Sequence, residues 1–469
     1  MSQETKSFSL LLAGGSGTRL WPVSRDMFPK QLVRFIDQQS LIQHTLNRLL
    51  PAFDPEHISI ICGNTHEQDI KQDAKEINLF HENLIINEPC GRNTAPAILL
   101  GTLKVYEKDP DASIFIFPAD HIVGHLDKLY EKINEADQLA QDNYIVTFGI
   151  APEYPETGYG YIEASDQAVN SGYKIKRFVE KPDAVTAEKY ISDGKFYWNA
   201  GMFAFKASVL VDAFQKYMPD MLNSLKFLLE NDLLDEENYK KIENISFDYA
   251  IMEKIDSGVV LPSDFKWSDI GSWKALYEHL PKDNNNNVAI SEDAILQNTK
   301  NCMVMGGNRL IVLNRLKNTV VIDTADALFV SDLEHSRDVK NAVTLLKEKD
   351  RKEYKSHTQQ VLHWGEIHVL DDRSDCVISK ITINKGTEIP KYKNTSKIKK
   401  WHIIYGHGVV IVDSVDVQVQ AGEDITIETG MTVTFKNVSK DELVFIEIAT
   451  PVMSYSMSSS DDLSFDFTF

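Results

Sequence analysis

"LLAGGSGTRLWPVSRDMFPKQL", residues 11–32, runs from an apolar segment straight into three glycines, then an arginine and, behind a proline, a lysine. A short apolar run that stops in glycine reads as the end of a buried strand. Gly14, Gly15 and Gly17 let the chain turn tightly and bring main-chain amides close to an anion, since glycine tolerates positive φ and carries no side-chain bulk. The spacing is not the dinucleotide pattern G-x-G-x-x-G, because Leu20 stands at the third glycine's place, and no G-x-x-x-x-G-K follows. By themselves the glycines fit a plain strand-to-helix turn equally well.

Beyond this stretch, "ISIICGN", "LIINEP", "SIFIFPADH" and "YIVTFGI" repeat the pattern of buried strands ending in turn residues. Between them "SLIQHTLNRLL" and "NTAPAILLGTLKVYEK" carry helical spacing, with Ser40 and Asn93 placed to cap them. Strands alternating with helices predict an α/β domain over residues 1–281, with a mostly parallel sheet and ligands bound beyond the C-terminal strand ends. The polar "KDNNNN" at 282–287 marks a boundary. A β-rich connecting region with one helix is expected over 282–354, and regular short strands with Gly, Asp or Asn turns predict an all-β sandwich or barrel over 355–453. Residues 454–469 read as a loosely ordered tail.

The 469 residues are enough for two or three domains. With 49 basic against 69 acidic residues the net charge is −20, which opposes attraction to nucleic acid or an anionic membrane. Any phosphate must be held by local cations and amides. Cys62, Cys90, Cys302 and Cys376 are scattered without a C-x-x-C pair, which fits a reducing cytoplasm and suggests neither disulfides nor zinc. The apolar run from Phe8 is too short to span a bilayer and lacks the features of a signal peptide.

"GGSGTRLWP" with "FPK" resembles the signature of sugar-nucleotide pyrophosphorylases. "EPCGRNTAPAI", "FPADH", "TGYGYIE", "FVEKP", "WNAGMF", "SFDYAIMEK" and "WSDIGSW" then follow in the order seen in bacterial mannose-1-phosphate guanylyltransferases. The resemblance implies a Rossmann-like nucleotidyltransferase domain that joins GTP to α-D-mannose 1-phosphate, giving GDP-mannose for polysaccharide or glycoconjugate synthesis. It makes Arg19 and Lys30 the catalytic cations. A fork of donors suits the departing phosphates, and a mobile ammonium suits the α-phosphate. Asp120 and Asp269 would hold Mg²⁺, an ion that takes one or two carboxylates together with phosphates and water. Gly14, Gly15, Gly17, Glu88, Arg92, Asn93 and Thr94 would line the nucleotide, and Gly158, Tyr159, Gly160, Glu163, Glu180, Lys181 and Asn199 the sugar phosphate. A homo-oligomer is expected. A non-catalytic nucleotide-sugar sensor is the alternative from another class, and the same reaction on another sugar 1-phosphate is the alternative within it.

In two-domain members the extension is a cupin-like phosphomannose isomerase module whose metal sits on histidines and a carboxylate. Here "NKGTEIPKYKNTSKIKKWHIIYGHG" places Asn394, Ser396, Lys399 and Lys400 at the ligand positions, and Val433 at the later histidine position. Lysine brings positive charge to the place of a divalent cation, so a degenerate, inactive barrel is expected. His402 and His407 remain nearby.

Overall fold

The computed structural model describes residues 6–15, 17–291, 293–307 and 309–451. The expected tail at 454–469 lies outside them. The chain divides into two units, Met1–Ser356 and His357–Phe469.

In the first unit, strands β1 Ser7–Leu12, β2 Ile58–Gly63, β3 Ile85–Glu88 and β4 Ser113–Pro118 pair in parallel in the order β3-β2-β1-β4. β1, β2 and β4 are buried almost throughout, as strands covered on both faces must be, while β3 at the sheet edge is buried at alternate residues. A two-stranded ladder, β5 Ile122–Val123 with β11 Trp267–Ser268, stands apart from the main sheet. The sheet continues through β6 Ile145–Ile150, β7 Gly160–Val169, β8 Gly172–Glu180, β9 Phe196–Lys206 and β10 Gly258–Ser263, in the order β4-β9-β6-β10-β8-β7. Here the expectation of a mostly parallel sheet needs correction. β9 is antiparallel to β4 and β6, and β8 to β7 and β10, so the nine-stranded sheet is mixed. For β7 and β8 the physical reason is a tight turn: only Asn170, in the left-handed region at φ 47°, and Ser171 separate them, which forces a hairpin.

Both expected caps are present. Ser40 opens helix α1 Leu41–Leu49 in a reciprocal capping box with Gln43. Asn93 opens helix α3 Thr94–Tyr106, its side chain accepting the Thr94 N–H at 2.9 Å, with helix α2 Glu67–Glu76 between. α3 is buried on nearly every side against β1 and β2.

After the ladder the chain winds through β12 Val288–Ile290, β13 Ala294–Gln297, β14 Met303–Met305, β15 Ile311–Asn314, β16 Thr319–Asp323 and β17 Leu328–Asp332. β12, β14 and β16 pair in parallel, β13 pairs in parallel with β15, and β17 closes the first set antiparallel, an arrangement like a short β-helix. Its far end, together with the helix Val339–Glu348, grips the segment between Arg19 and Lys30. Trp21 Nε1 donates to the Glu353 carbonyl at 2.9 Å, and Asp26 and Met27 donate their N–H groups to the Tyr354 and Lys355 carbonyls. Arg25 is fully buried, with a two-pronged ion pair to Asp326 at 2.6 and 2.7 Å and further donation to the Pro22 and Ser356 carbonyls.

The second unit is all-β. Its strands are β18 Gln359–Leu362, β19 Gly365–Asp372, β20 Val377–Ile383, β21 Glu388–Lys393, β22 Lys397–Tyr405, β23 His407–Val412, β24 Val415–Gln420, β25 Asp424–Ile427, β26 Thr432–Asn437 and β27 Leu443–Pro451. They form an antiparallel six-stranded sheet, β18-β19-β20-β27-β22-β25, and a four-stranded one, β21-β26-β23-β24. Trp401 stacks on Phe435 at 5.4 Å in a core shared with Phe445, Ile383 and Val433. No helix among the described residues is long and apolar enough to cross a membrane.

Candidate active site

The glycine turn that follows β1 seats itself on Lys30. Gly17 has φ 60°, and a Cβ there would run into the Lys30 Cβ, so no other residue fits this approach without displacing the lysine stem. Ser24 Oγ donates to the Gly17 carbonyl at 2.6 Å and fixes the turn from outside. Lys30 itself is 5% exposed. Its ammonium donates to Asp120 Oδ2 at 2.9 Å and to the Asp269 main-chain carbonyl.

Asp120 follows β4 and Asp269 follows β11, and the β5–β11 ladder is what brings them together: Ile122 pairs with Ser268 and Val123 with Trp267. Burial alone would raise the Asp120 carboxyl, but the Lys30 charge and hydrogen bond, with His121, hold it below the usual carboxylate range. Burial pushes His121 down to about 4, so the imidazole is neutral, and its Nδ1 accepts from Trp267 Nε1 at 3.1 Å. Asp269 Oδ1 accepts from the Tyr159 hydroxyl at 2.7 Å and from the Gly271 N–H at 2.8 Å. Two aspartates joined through Lys30, with hard carboxylate oxygens, suit a magnesium-like ion by donor type, its other ligands coming from phosphates and water. No cluster of three His, Cys, Asp or Glu side chains suited to a metal occurs among the described residues.

A cavity of about 340 Å³ opens at the C-terminal ends of β1 to β3. Gly14, Gly15, Glu88, Asn93 and Thr94 line it, over an apolar floor of Ile61, Ala97, Ile98 and Phe203. Burial raises the Glu88 carboxyl even though it accepts from Tyr239 Oη at 3.1 Å and from the Arg92 N–H at 3.3 Å. Arg92 is not brought to this cavity: its guanidinium is taken up by the Ile242 carbonyl. Arg19 is exposed on the turn Thr18–Leu20 and has no ion pair or side-chain hydrogen bond among the described residues. A larger cavity of about 890 Å³, beside Phe8, His57 and Phe80, lies at the opposite, N-terminal strand ends and holds none of the predicted residues.

Among the residues expected to line the sugar phosphate, Tyr159 and Gly160 are buried, and Gly160 leaves room for Glu180, whose Oε2 would lie 2.7 Å from an added Cβ. Gly158 donates its N–H to Glu156 Oε1 at 2.5 Å. Lys181 takes φ 48°, donates its N–H to the Tyr159 carbonyl at 3.2 Å and ion-pairs with Glu180. Asn199 Nδ2 donates to Asp248 Oδ1 at 3.0 Å. Glu163 is engaged elsewhere, in ion pairs of 2.6 Å to Lys176 and to Arg177 of the neighbouring strand β8.

Asp248 was not singled out by the sequence reading. It heads a π-helical turn, Asp248–Met252, lines the cavity with Gly201, and meets both sides of the site. Burial, then the Glu180 charge, push its carboxyl up to about 7. Thr94 Oγ1 accepts the Phe247 N–H at 2.8 Å, so the start of α3 anchors this turn. The sequence signal was the Asp inside "SFDYAIMEK".

The chain as a whole is similar to known proteins. Residues 8–286 match the nucleotidyl transferase family and residues 349–463 the mannose-6-phosphate isomerase C-terminal family. The mannose-1-phosphate guanylyltransferase of Klebsiella pneumoniae is 35% identical over 94% of this chain and 95% of its own length. The chain belongs to the mannose-1-phosphate guanylyltransferase family. The member from Escherichia coli K12 is 32% identical over 95% of both chains. A solved structure from Thermus thermophilus, called mannose-1-phosphate geranyltransferase, superposes with TM-score 0.66 at 31% identity over 73% of this chain and 99% of that one.

In the barrel, the residues at the expected ligand positions are engaged with neighbouring side chains or with the backbone. Lys399 Nζ ion-pairs with Glu447 at 3.1 Å and lies 3.4 Å from Tyr392 Oη, while Trp401 Nε1 donates to the same Glu447 oxygen at 2.8 Å. Asn394 is buried and spends its amide on the carbonyls of Lys397, Ile427 and Glu428. Val433 is core, and His402 faces Asp424 at 2.7 Å on the exposed side.

Proposed function

We propose that the first unit makes GDP-mannose and pyrophosphate from GTP and α-D-mannose 1-phosphate. The observation that carries this reading is the Lys30 ammonium, buried beneath the glycine turn and joined at once to Asp120 and to the Asp269 backbone. A sugar-phosphate oxygen attacks the α-phosphorus in line, and the bond to the β-phosphate oxygen breaks with its electron pair leaving on pyrophosphate. The nucleophile is already an anion, so no general base is required, and the task is to hold two polyanions in line and neutralise charge. Lys30 faces the α-phosphate, and Arg19, with no counter-ion among the described residues, takes the departing pyrophosphate. Asp120 and Asp269 are the residues that would hold Mg²⁺, which when bound screens the phosphate charges and polarises the reacting phosphorus. Glu88, Asn93 and Thr94 contact the nucleoside, and Glu180, Lys181, Asn199 and Asp248 the sugar phosphate.

The barrel adds no isomerase activity in this reading, because the Lys399 ammonium already neutralises the mostly buried Glu447 carboxylate. The test is pyrophosphate release and product identification with GTP, other nucleoside triphosphates and a panel of sugar 1-phosphates in the presence of Mg²⁺. Preference for another pair removes the mannose claim. Tight GDP-mannose binding without turnover decides for a sensor.

A further inference from the structure

We infer that Arg337 is a positioning residue for the sugar 1-phosphate side of the site, acting from the connecting region through Glu156. The inference rests on the functional reading above. The turn Ser336–Asp338 lies between β17 and the helix Val339–Glu348, far in sequence from every motif of the nucleotidyltransferase domain. Arg337 Nη1 and Nη2 meet the two oxygens of Glu156 at 2.5 and 2.6 Å. The Glu156 side chain is only 5% exposed, so this fork is what keeps a carboxylate in the interior.

Glu156 passes the constraint on. Its Oε1 also accepts the Gly158 N–H, which sets the turn leading into Tyr159. Tyr159 then reaches Asp269, the expected metal residue, and Lys181, an expected sugar-phosphate residue. Its hydroxyl donates to Asp269 Oδ1 at 2.7 Å and its carbonyl accepts the Lys181 N–H at 3.2 Å. The same turn touches the Asp269 segment directly, since Ser336 Oγ accepts the Lys274 N–H at 3.1 Å in the first turn of the helix Trp273–His279. One turn of the connecting region therefore staples together the loop that bears Tyr159 and the segment that bears Asp269. The nucleoside cavity is lined instead from β1, α3 and the Asp248 turn. Loss of the staple should misplace the sugar phosphate and spare the nucleoside.

The experiment compares wild type with Arg337→Met, Arg337→Lys and Glu156→Gln, measuring kcat and KM for each substrate and the melting temperature. For Arg337→Met, kcat/KM for mannose 1-phosphate falls about 30-fold or more while KM for GTP stays within about twofold, as expected of a displaced reactant. Arg337→Lys recovers part of the loss, because one ammonium replaces one arm of the fork, and the near-isosteric Glu156→Gln shows the same split more mildly. Equal rises in both KM values, or a loss that simply tracks the unfolded fraction, overturn the inference and leave a structural role. An active wild type beside an unaffected Arg337→Met removes this inference alone. A wild type unable to join GTP and mannose 1-phosphate removes the functional reading and this inference with it.

Discussion

Lys30 joins the two acidic segments of the site: its ammonium donates at 2.9 Å to the carboxylate of Asp120 and also to the main-chain carbonyl of Asp269. Its removal therefore has two effects. Lys30→Met should lower kcat by about 10²–10³-fold, the range seen when one preorganised charge donor is lost. It should also move the acid limb of the pH–rate profile upward, because the charge that depresses the Asp120 carboxyl is gone. A slow variant with an unshifted acid limb would separate Lys30 from the ionisation of Asp120.

Arg19 sits exposed with no side-chain partner among the described residues, so its charge does little for folding. Arg19→Ala should change stability by no more than about 0.5 kcal/mol. In the reverse reaction, KM for pyrophosphate should rise about tenfold or more, and Arg19→Lys should restore only part of it. An Arg19→Ala enzyme with wild-type pyrophosphate kinetics would end its assignment to the leaving group.

Asp248 gives the site a pH signature. Its folded-state pKa, about 7, lies above the ordinary carboxylate value of 3.8. Its contribution to stability is thus fully present below about pH 4 and is lost as pH rises through about 7. Asp248→Asn, neutral at every pH, should match wild type in melting temperature near pH 4 and exceed it by about 2–4 °C at pH 8. A difference that does not vary with pH would mean the carboxyl is not protonated in the folded protein.

In the barrel, Lys399→Met leaves Glu447 without its cation. Denaturant unfolding should show a loss of about 2–3 kcal/mol, the lower end for a pair that keeps some contact with water. Adding Glu447→Gln, which retains an acceptor for Trp401 Nε1, should recover most of it. A double variant as unstable as the single one would show that the ion pair is not the source.

Much of this was legible in the chain. The glycine turn, Lys30 and the two aspartates sit in contiguous motifs whose residue types match the chemistry, and the caps at Ser40 and Asn93 follow from local hydrogen bonding. What escaped reading depends on distant partners. Asp248 is an ordinary aspartate until Asn199 and Glu180 surround it, and Arg337 meets Glu156 across 181 residues. Arg92 and Glu163 carry the right chemistry in the right motifs, yet a neighbouring carbonyl and two strand-β8 cations claim them. The sheet was read as mostly parallel because hydrophobic runs show burial but not direction, and the insertion of β9 between β4 and β6 is set by partners distant in the chain.

Arg25 has one further consequence. Its guanidinium is wholly enclosed, and its counter-ion, Asp326, comes from some three hundred positions later in the chain. A fragment ending at residue 281 would lose Thr324, Asp326 and Ser356, which hold both terminal guanidinium nitrogens, and would open that face of the segment between Arg19 and Lys30 to water. A protein shortened at residue 281 should therefore melt lower than one that runs to residue 356, because the segment between Arg19 and Lys30 loses the partners that fix it.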